Sequence, residues 1–357
     1  MDAIKGFVNL FADPRLFFIL SVIALVLIVW KRETFSKNAV GYGMMGFLAV
    51  FFAFGLFDEN FRLIVVKPDN VPIVALIFLV VFFTWYAIRE GVRNDRRIAA
   101  GDDPIEKEES DRVWVWPDLV YTELIALILC TAILVVWSVG LEAPIEQPAN
   151  PANTPNPSKA PWYFLGLQEM LVYFDPWLAG VVLPSLIIVG LMAIPYIDTN
   201  PKGNGYYTFR ERKAEITIFL FGFLVLWSSL IVLGTFLRGP NWNFFGPFEY
   251  WDIHKLEPLT NVQLSDFIWV RLLGQPLPDN WFVREFFGIV LTLIYVAALP
   301  PLMARVFRRY YDLLGGTRFY VAAMLLLMML SLPVKMLTRW VFNLKYVVSI
   351  PEYFFNI

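Results

Sequence analysis

Histidine and cysteine are almost absent from this sequence of 357 residues, which contains a single His and a single Cys. A haem held inside a membrane by side chains needs paired His residues on facing helices, and covalently attached haem needs Cys. The chain therefore cannot ligate a b-type haem with its own residues. It also offers no internal disulfide and no His/Cys/carboxylate cluster with metal-ligand spacing, so no metal site is predicted.

Charged residues are scarce as well. They make up 17% of the chain, whereas hydrophobic residues make up 58%, and a soluble domain carries about a quarter charged residues. The charges are crowded into a few segments that are separated by long neutral runs, which indicates an integral membrane protein. With a net charge of −2, nothing in the composition favours nucleic acid as a partner.

The apolar runs predict an all-α fold with about eight transmembrane helices. A hydrocarbon core of ~30 Å is crossed by ~20 helical residues, and runs of that order occur at residues 14–30, 40–57, 70–89, 118–139, 177–197, 214–236, 282–304 and 318–340. The start, "MDAIKGFVNLFADPR", lacks the pattern of a cleavable signal peptide. We expect it to form a short amphipathic segment on the membrane surface.

The basic residues predict which loops face the cytoplasm. They concentrate in the first, third, fifth and seventh loops, at Lys31, Arg32, Lys37, Arg89, Arg93, Arg96, Arg97, Lys202, Arg210, Arg212, Lys213, Arg305, Arg308 and Arg309. The long fourth loop contains only Lys159. By the positive-inside rule the odd loops are cytoplasmic and both termini lie on the outer side. Lys335 and Arg339 near the outer end of the last run are exceptions, which we interpret as side chains that snorkel to the headgroups.

The sequence suggests three successive segments. Residues 1–113 form an N-terminal three-helix membrane unit, residues 114–245 a central three-helix unit, and residues 246–357 an outer loop with two further helices. The break after the first unit is the mixed-charge stretch "RNDRRIAAGDDPIEKEESDRVWVWPD". We interpret it as a solvated linker, and a specific docking site is the alternative.

The predicted spans themselves contain few ionisable residues. Glu123 lies about one turn inside the fourth span, and Arg284 with Glu285 begins the seventh, where the two are expected to pair. Secondary transporters and pumps place several ionisable groups near the middle of the bilayer. The sequence therefore disfavours a self-contained transporter and favours a subunit whose chemistry comes partly from partners.

The central segment resembles a known family. A span is followed by the Pro-rich "EAPIEQPANPANTPNPSKAP", then by "WYFLGLQEMLVYF", "DPWLAGVVLPSLIIVGLMAIPYID" and "AEITIFLFGFLVLWSSLIVLGTFL". This order is similar to the C-terminal part of cytochrome b, which in split complexes is the separate subunit IV. There an outer loop with Pro-Glu-Trp-Tyr leads into a short amphipathic helix and two more spans. The resemblance covers roughly residues 115–245.

The resemblance implies a role in quinol oxidation within a bc-type quinol–cytochrome c reductase of a bacterial cytoplasmic (inner) membrane. It implies a quinol-binding surface at Pro161, Trp162, Tyr163, Phe164 and Leu165, with menaquinone the expected quinone. Haem b, bound by a cytochrome b N-terminal subunit, and the cluster of a Rieske-type iron–sulfur protein are expected on partner chains, with a cytochrome c subunit or acceptor. The alternative to quinol binding is that these aromatic residues form an interfacial belt that faces membrane lipid.

The motif departs from the family at the residue that accepts the quinol's proton. When Trp162 and Tyr163 are aligned with the family's Trp-Tyr, Pro161 occupies the position of the Glu. Glu169 lies two helical turns after Trp162 and so on the same face. We predict that Glu169 replaces the missing base, since an apolar setting favours the neutral form of a carboxylate. The alternative is a solvated residue at the water boundary.

Three functions remain open from the sequence. The first is the haem-free, subunit IV-like reductase subunit just described, and the second is a structural or anchoring subunit that lost the quinol site, for which Pro161 is the best argument. The third is the disfavoured transporter. We interpret His254 as a surface-loop residue, with a ligand- or quinone-binding role as the alternative, and Cys130 as a small hydrophobic residue.

Overall fold

Long α-helices make up most of the protein. The computed structural model describes residues 2–109, 112–140, 148–200, 206–257 and 260–357. The principal helices are α1 (Asp2–Phe11), α2 (Pro14–Trp30), α3 (Asn38–Gly55), α4 (Val71–Ala100), α5 (Val120–Gly140), α6 (Trp162–Met170), α7 (Leu178–Ile197), α8 (Lys213–Leu237), α9 (Phe286–Val306) and α10 (Gly316–Phe342). Shorter helices occupy Arg32–Phe35, Glu59–Val65, Ile105–Glu108, Asp266–Leu272, Trp281–Arg284 and Arg308–Leu314.

The predicted all-α membrane fold is confirmed. Seven helices in the described part of the chain are long and apolar enough to cross a membrane, and α2 raises the number to eight when it is joined with α1. The axes of α1 and α2 differ by 73°, so α1 turns away from the direction of the span. This bend agrees with the predicted surface segment at the N-terminus.

In the described residues, four short β-strands form two small two-stranded sheets. β1 (Val262–Gln263) pairs in parallel with β2 (Leu344–Tyr346), with Val262 opposite Leu344. β3 (Ser349–Ile350) and β4 (Phe355–Asn356) form an antiparallel pair. These strands hold the last residues of the chain against the loop that follows α8.

The chain divides into two compact units. Unit 1 contains Met1–Leu25, Asn156–Gly203 and Ile218–Ile357, and unit 2 contains Val26–Pro155 and Asn204–Thr217. The units therefore combine segments that are distant in sequence. The division into residues 1–113, 114–245 and 246–357 stays a prediction about the sequence.

In unit 2 the predicted first, third and fifth loops meet. The Arg96 side chain donates to Glu33 at 3.1 Å, and the Asn94 amide donates to the carbonyl of Tyr207 at 3.0 Å. The Asp95 carboxylate accepts from the backbone N–H of Arg210 at 3.0 Å. All three basic loops therefore lie at the same end of this unit, as the positive-inside pattern requires.

The interpretation of the third loop as a solvated linker was wrong for its first part, residues 93–100, whereas most of the described residues from 101 to 118 are exposed. Helix α4 continues through that stretch to Ala100, where Gly101 ends it with φ +91°. Asn94 and Asp95 are buried on this helix, because their side chains satisfy backbone groups of the neighbouring segments. Residues 110 and 111 of the same stretch lie outside the described residues.

A close contact between α3 and α4 fixes the core of unit 2. A Cβ on Gly41 would lie 2.1 Å from the Trp85 ring, so no larger residue fits at that position. The buried Trp85 also donates its indole N–H to the carbonyl of Lys37 at 3.3 Å. This hydrogen bond satisfies the indole N–H, the polar group of the otherwise apolar Trp85 side chain.

In unit 1 the predicted outer loops and both terminal segments meet at one end. Asn9 of α1 accepts the backbone N–H of Phe248 at 3.0 Å, and Tyr346 donates to Asp175 at 3.1 Å. The predicted pairing of Arg284 with Glu285 is present at 3.4 Å. The grouping of these loops agrees with the predicted topology, whereas the side of the membrane that they face stays a prediction.

The orientation leads to a direct test. Reporter fusions are expected to place Arg96, Arg210 and Arg308 in the cytoplasm and Pro151 and His254 outside, because of the distribution of Lys and Arg. Alkaline phosphatase and green fluorescent protein fusions at these positions measure the outcome. A cytoplasmic Pro151 would contradict the arrangement and would remove α6 from the outer face.

Candidate functional site

Helix α6 is the short helix of the predicted outer loop, and its own side chains fix its start. Pro161 precedes its first turn with extended backbone (φ −54°, ψ 150°). Gln168 folds back over the chain segment that leads into the helix. Its side-chain oxygen accepts from the N–H of Ala160 and its NH₂ donates to the carbonyl of Ser158, both at 2.9 Å. The entering chain is thereby tied to the helix two turns further on. Residues 141–147, at the start of the Pro-rich approach, lie outside the described residues.

Two glycines let α6 lie close to the transmembrane helix α8. A Cβ on Gly166 would meet Ile231 at 3.3 Å, and a Cβ on Gly234 would meet the carbonyl oxygen of Leu165 at 3.2 Å. Small residues at such positions allow two helix backbones to approach each other closely. This contact sets the height of α6 relative to the end of the span.

The predicted quinol-binding residues separate into an exposed and a buried group. Trp162, Tyr163 and Phe164 are 40%, 51% and 53% exposed, and together with the exposed Pro161 they form what we call the aromatic surface. Tyr163 packs against Trp227 of α8, with ring centroids 5.6 Å apart. Leu165 is buried at 3% exposure, so it supports the aromatic surface from behind.

Glu169 lies at the centre of a buried polar network. It is fully buried, and its two carboxylate oxygens accept from Arg238 Nη2 at 2.7 Å and Nε at 2.9 Å. Tyr173 donates its hydroxyl at 3.0 Å and Trp242 its indole N–H at 3.2 Å. The carboxylate therefore has four donors, and the interpretation of Glu169 as a solvated boundary residue was wrong.

The surroundings of this network favour a neutral Tyr173. Arg238 is 4% exposed and lies with its guanidinium 3.5 Å from the centre of the Phe244 ring. Burial, followed by the nearby Glu169 carboxylate, raises the pKa of Tyr173 well above its usual value. Tyr173 therefore keeps its proton and donates it in the hydrogen bond to Glu169.

The sequence did not predict Arg238, Tyr173 or Trp242 as members of the site. Arg238 is 69 residues from Glu169, so no local spacing connects the two. One signal was available: Arg238 lies at the predicted outer end of a span, where the positive-inside rule predicts few cations. Such an outer cation needs an acid or a headgroup as its partner.

Lys335 and Arg339 of α10 do not snorkel, so that interpretation was wrong. They are 5% and 6% exposed. Lys335 donates to the carbonyl of Lys345 and lies 5.5 Å from the centre of the Phe174 ring. Arg339 donates to the carbonyls of Asn343 and Thr260 at 2.9 and 3.1 Å, so both cations are held inside unit 1.

The remaining candidates contribute no metal chemistry. Within the described ranges, no group of three or more His, Cys, Asp or Glu side chains could hold a metal ion. His254 lies in an exposed loop, and Cys130 lies on an exposed face of α5. One His in the whole chain does not fit a haem that needs two axial His ligands.

A comparison with protein families identifies the segment that carries α6. Residues 148–245 match the cytochrome b(C-terminal)/b6/petD family. The match covers just over a quarter of the chain and confirms the resemblance of the central segment. It supports a membrane subunit that takes part in electron transport in a bc- or b6f-type complex. Such complexes use quinol and carry haem on partner subunits. No solved structure matches the chain.

Proposed function

We propose that the protein is a haem-free membrane subunit of a quinol–cytochrome c oxidoreductase and that its cytochrome b C-terminal segment forms part of the quinol-oxidising pocket. The observation that carries this proposal is the aromatic surface of α6, inside the matched residues 148–245. A quinone ring is flat and apolar, and exposed aromatic faces beside a span suit it. The surface is one wall of a pocket, and partner subunits supply the others.

Quinol oxidation would be divided between this chain and partner subunits that carry the redox groups. Oxidation of one quinol releases two electrons and two protons. One electron would leave to a Rieske-type iron–sulfur protein, which would pass it to a cytochrome c, and the other to a haem b on a cytochrome b N-terminal subunit. The proposal places the pocket on the outer side of a bacterial cytoplasmic membrane, with both termini on that side. Menaquinone is the proposed quinone.

Glu169 is the proposed proton acceptor from the quinol. Its carboxylate is the acidic group nearest to the aromatic surface along α6, one turn after Leu165. Transfer to it requires that the bidentate contact with Arg238 loosens, because both carboxylate oxygens already accept hydrogen bonds from that guanidinium. Arg238 would then hold the deprotonated state after the proton has been released.

The second candidate is an anchoring subunit without a quinol site. Two observations favour it: Pro161 stands where the family has its Glu, and the four donors already engage Glu169 completely. In this case the network around Glu169 fixes α6 to the end of α8. The aromatic surface then contacts lipid or a neighbouring subunit.

The aromatic surface separates the two candidates. In the complex purified with its partners, Tyr163→Ala is expected to raise the KM for quinol about tenfold, because one stacking contact contributes about 0.5–1.5 kcal/mol beyond its buried area. Quinol-dependent cytochrome c reduction measures this effect. Tyr196→Ala is the matched control, since Tyr196 is 78% exposed and lies outside the site. An unchanged KM for Tyr163→Ala would favour the anchoring subunit.

A further inference from the structure

Unit 1 contains a cavity of about 510 Å³ whose lining includes neither the aromatic surface nor Glu169. Its walls come from the bend between α1 and α2, from the segment that follows α8 and from the C-terminal end of α10. Most of these residues lie outside the family match at 148–245. A cavity of this volume accommodates a small molecule or the headgroup region of a lipid.

The acidic side chains of the cavity already have partners in the protein. Asp13 accepts from the backbone N–H groups of Arg15 and Leu16 at 2.9 and 3.4 Å, which caps the start of α2. Glu249 and Glu257 lie 3.3 and 3.8 Å from the ammonium of Lys255. In the described residues, none of these three acids forms an ion pair with Arg15 or Arg339.

Two guanidinium groups of the lining lack an acidic partner. Arg238 is paired with Glu169, whereas Arg339 donates only to neutral oxygens, those of Thr260, Asn261 and Asn343. Arg15 is exposed, and in the part of the chain that the structure describes it forms no ion pair. A buried guanidinium without a counter-ion is unfavourable, so the cavity suits an anion.

The rest of the lining consists of polar side chains, including Asn9, Asn243 and Asn343, and of an aromatic wall. Trp242, Phe244 and Trp340 contribute to it, and so does Leu10 of the amphipathic helix α1. A ligand that satisfies both parts has an anionic head and an apolar body. Guanidinium groups bind phosphate oxygens with two parallel hydrogen bonds.

We propose that this cavity binds the phosphate of an anionic phospholipid, with Arg339 and Arg15 as its ligands and the aromatic wall against its glycerol and upper acyl region. The helix α1 then lies beside the bound lipid and holds it at the membrane surface. The cavity shares Arg238 and Trp242 with the network around Glu169, whereas its two proposed ligands, Arg15 and Arg339, neither belong to the aromatic surface nor bond to Glu169.

Native mass spectrometry of the purified, delipidated complex tests the site with phosphatidylglycerol and phosphatidylcholine as probes. We expect phosphatidylglycerol to bind at least ten times more tightly than phosphatidylcholine. Arg15→Gln and Arg339→Gln are each expected to weaken phosphatidylglycerol binding about tenfold or more, since a charge-assisted hydrogen bond contributes about 1.5–3 kcal/mol. Arg318→Gln, an exposed Arg at the other end of α10, is the control and should leave the affinity unchanged.

The binding measurements distinguish a phospholipid from free inorganic phosphate as the ligand of the cavity. If inorganic phosphate at millimolar concentration displaces the lipid, the site binds the free anion and the lipid proposal is overturned. Equal affinities for the two lipids, or unchanged binding by Arg15→Gln, overturn it as well. Arg15 is exposed, so its replacement decides the question even if Arg339→Gln does not fold.

Discussion

Replacing Glu169 by Gln alone is expected to destabilise the protein by about 3–5 kcal/mol, because Arg238 is left as a buried charge without its counter-ion. The pair is almost completely buried, with Arg238 Nη2 2.7 Å from the Glu169 carboxylate. Thermal unfolding of the purified complex, followed by tryptophan fluorescence, measures the loss. Tyr173→Phe removes a single donor and is expected to cost about 1 kcal/mol.

The double variant Glu169→Gln/Arg238→Gln distinguishes the two roles of Glu169. It removes the carboxylate together with the charge that the carboxylate neutralises, so most of the lost stability is expected to return. If Glu169 accepts the quinol's proton, turnover of the double variant falls by about 10²–10⁴-fold, as is typical when a general base is removed. Wild-type turnover in a stable double variant would assign the pair to anchoring α6.

Gly288→Ala is expected to give the second large loss of stability. A Cβ at this position would lie 2.0 Å from the backbone carbonyl oxygen of Val347, and a backbone atom cannot rotate away as a flexible side chain can. Overpacking of this kind costs about 1–3 kcal/mol or more. The melting temperature of the complex is therefore expected to fall by several degrees.

Gly46→Ala is the matched control for this substitution. It also replaces a glycine within a membrane-spanning helix, but nothing lies within 4 Å of its added Cβ. Alanine in a helix interior is more stable than glycine by about 0.5–1 kcal/mol, so Gly46→Ala should leave the melting temperature unchanged or raise it. Equal effects of the two variants would contradict the close approach of Val347 to α9.

The spans could be predicted from the sequence, and the polar network could not. Length and apolarity decide whether a helix crosses a bilayer, so the eight predicted runs correspond to α2–α5 and α7–α10. The end of α4 does not follow from composition: the polar stretch after the apolar run is typical of a loop, whereas the helix continues to Ala100 and ends at Gly101.

The partners of Glu169 depend on the tertiary structure. Helical periodicity places Glu169 on one face with Trp162 and with Leu165 or Gly166. Leu165 and Gly166 are buried with Glu169, whereas Trp162 is exposed. The periodicity says nothing about the residue that faces them from another helix. Arg238 becomes the partner only because the glycine contacts bring α6 against the end of α8.

The ion pair between Glu169 and Arg238 also constrains the order in which the chain is made and inserted. The two residues stand on either side of the hairpin formed by α7 and α8, so the pair cannot form until both helices have left the ribosome and crossed the membrane. Helices insert individually before they pack together, and until then the two charges lie apart. The closing of α6 onto α8 is therefore a late event in the biogenesis of this subunit, and only after it is the aromatic surface ready to meet a partner.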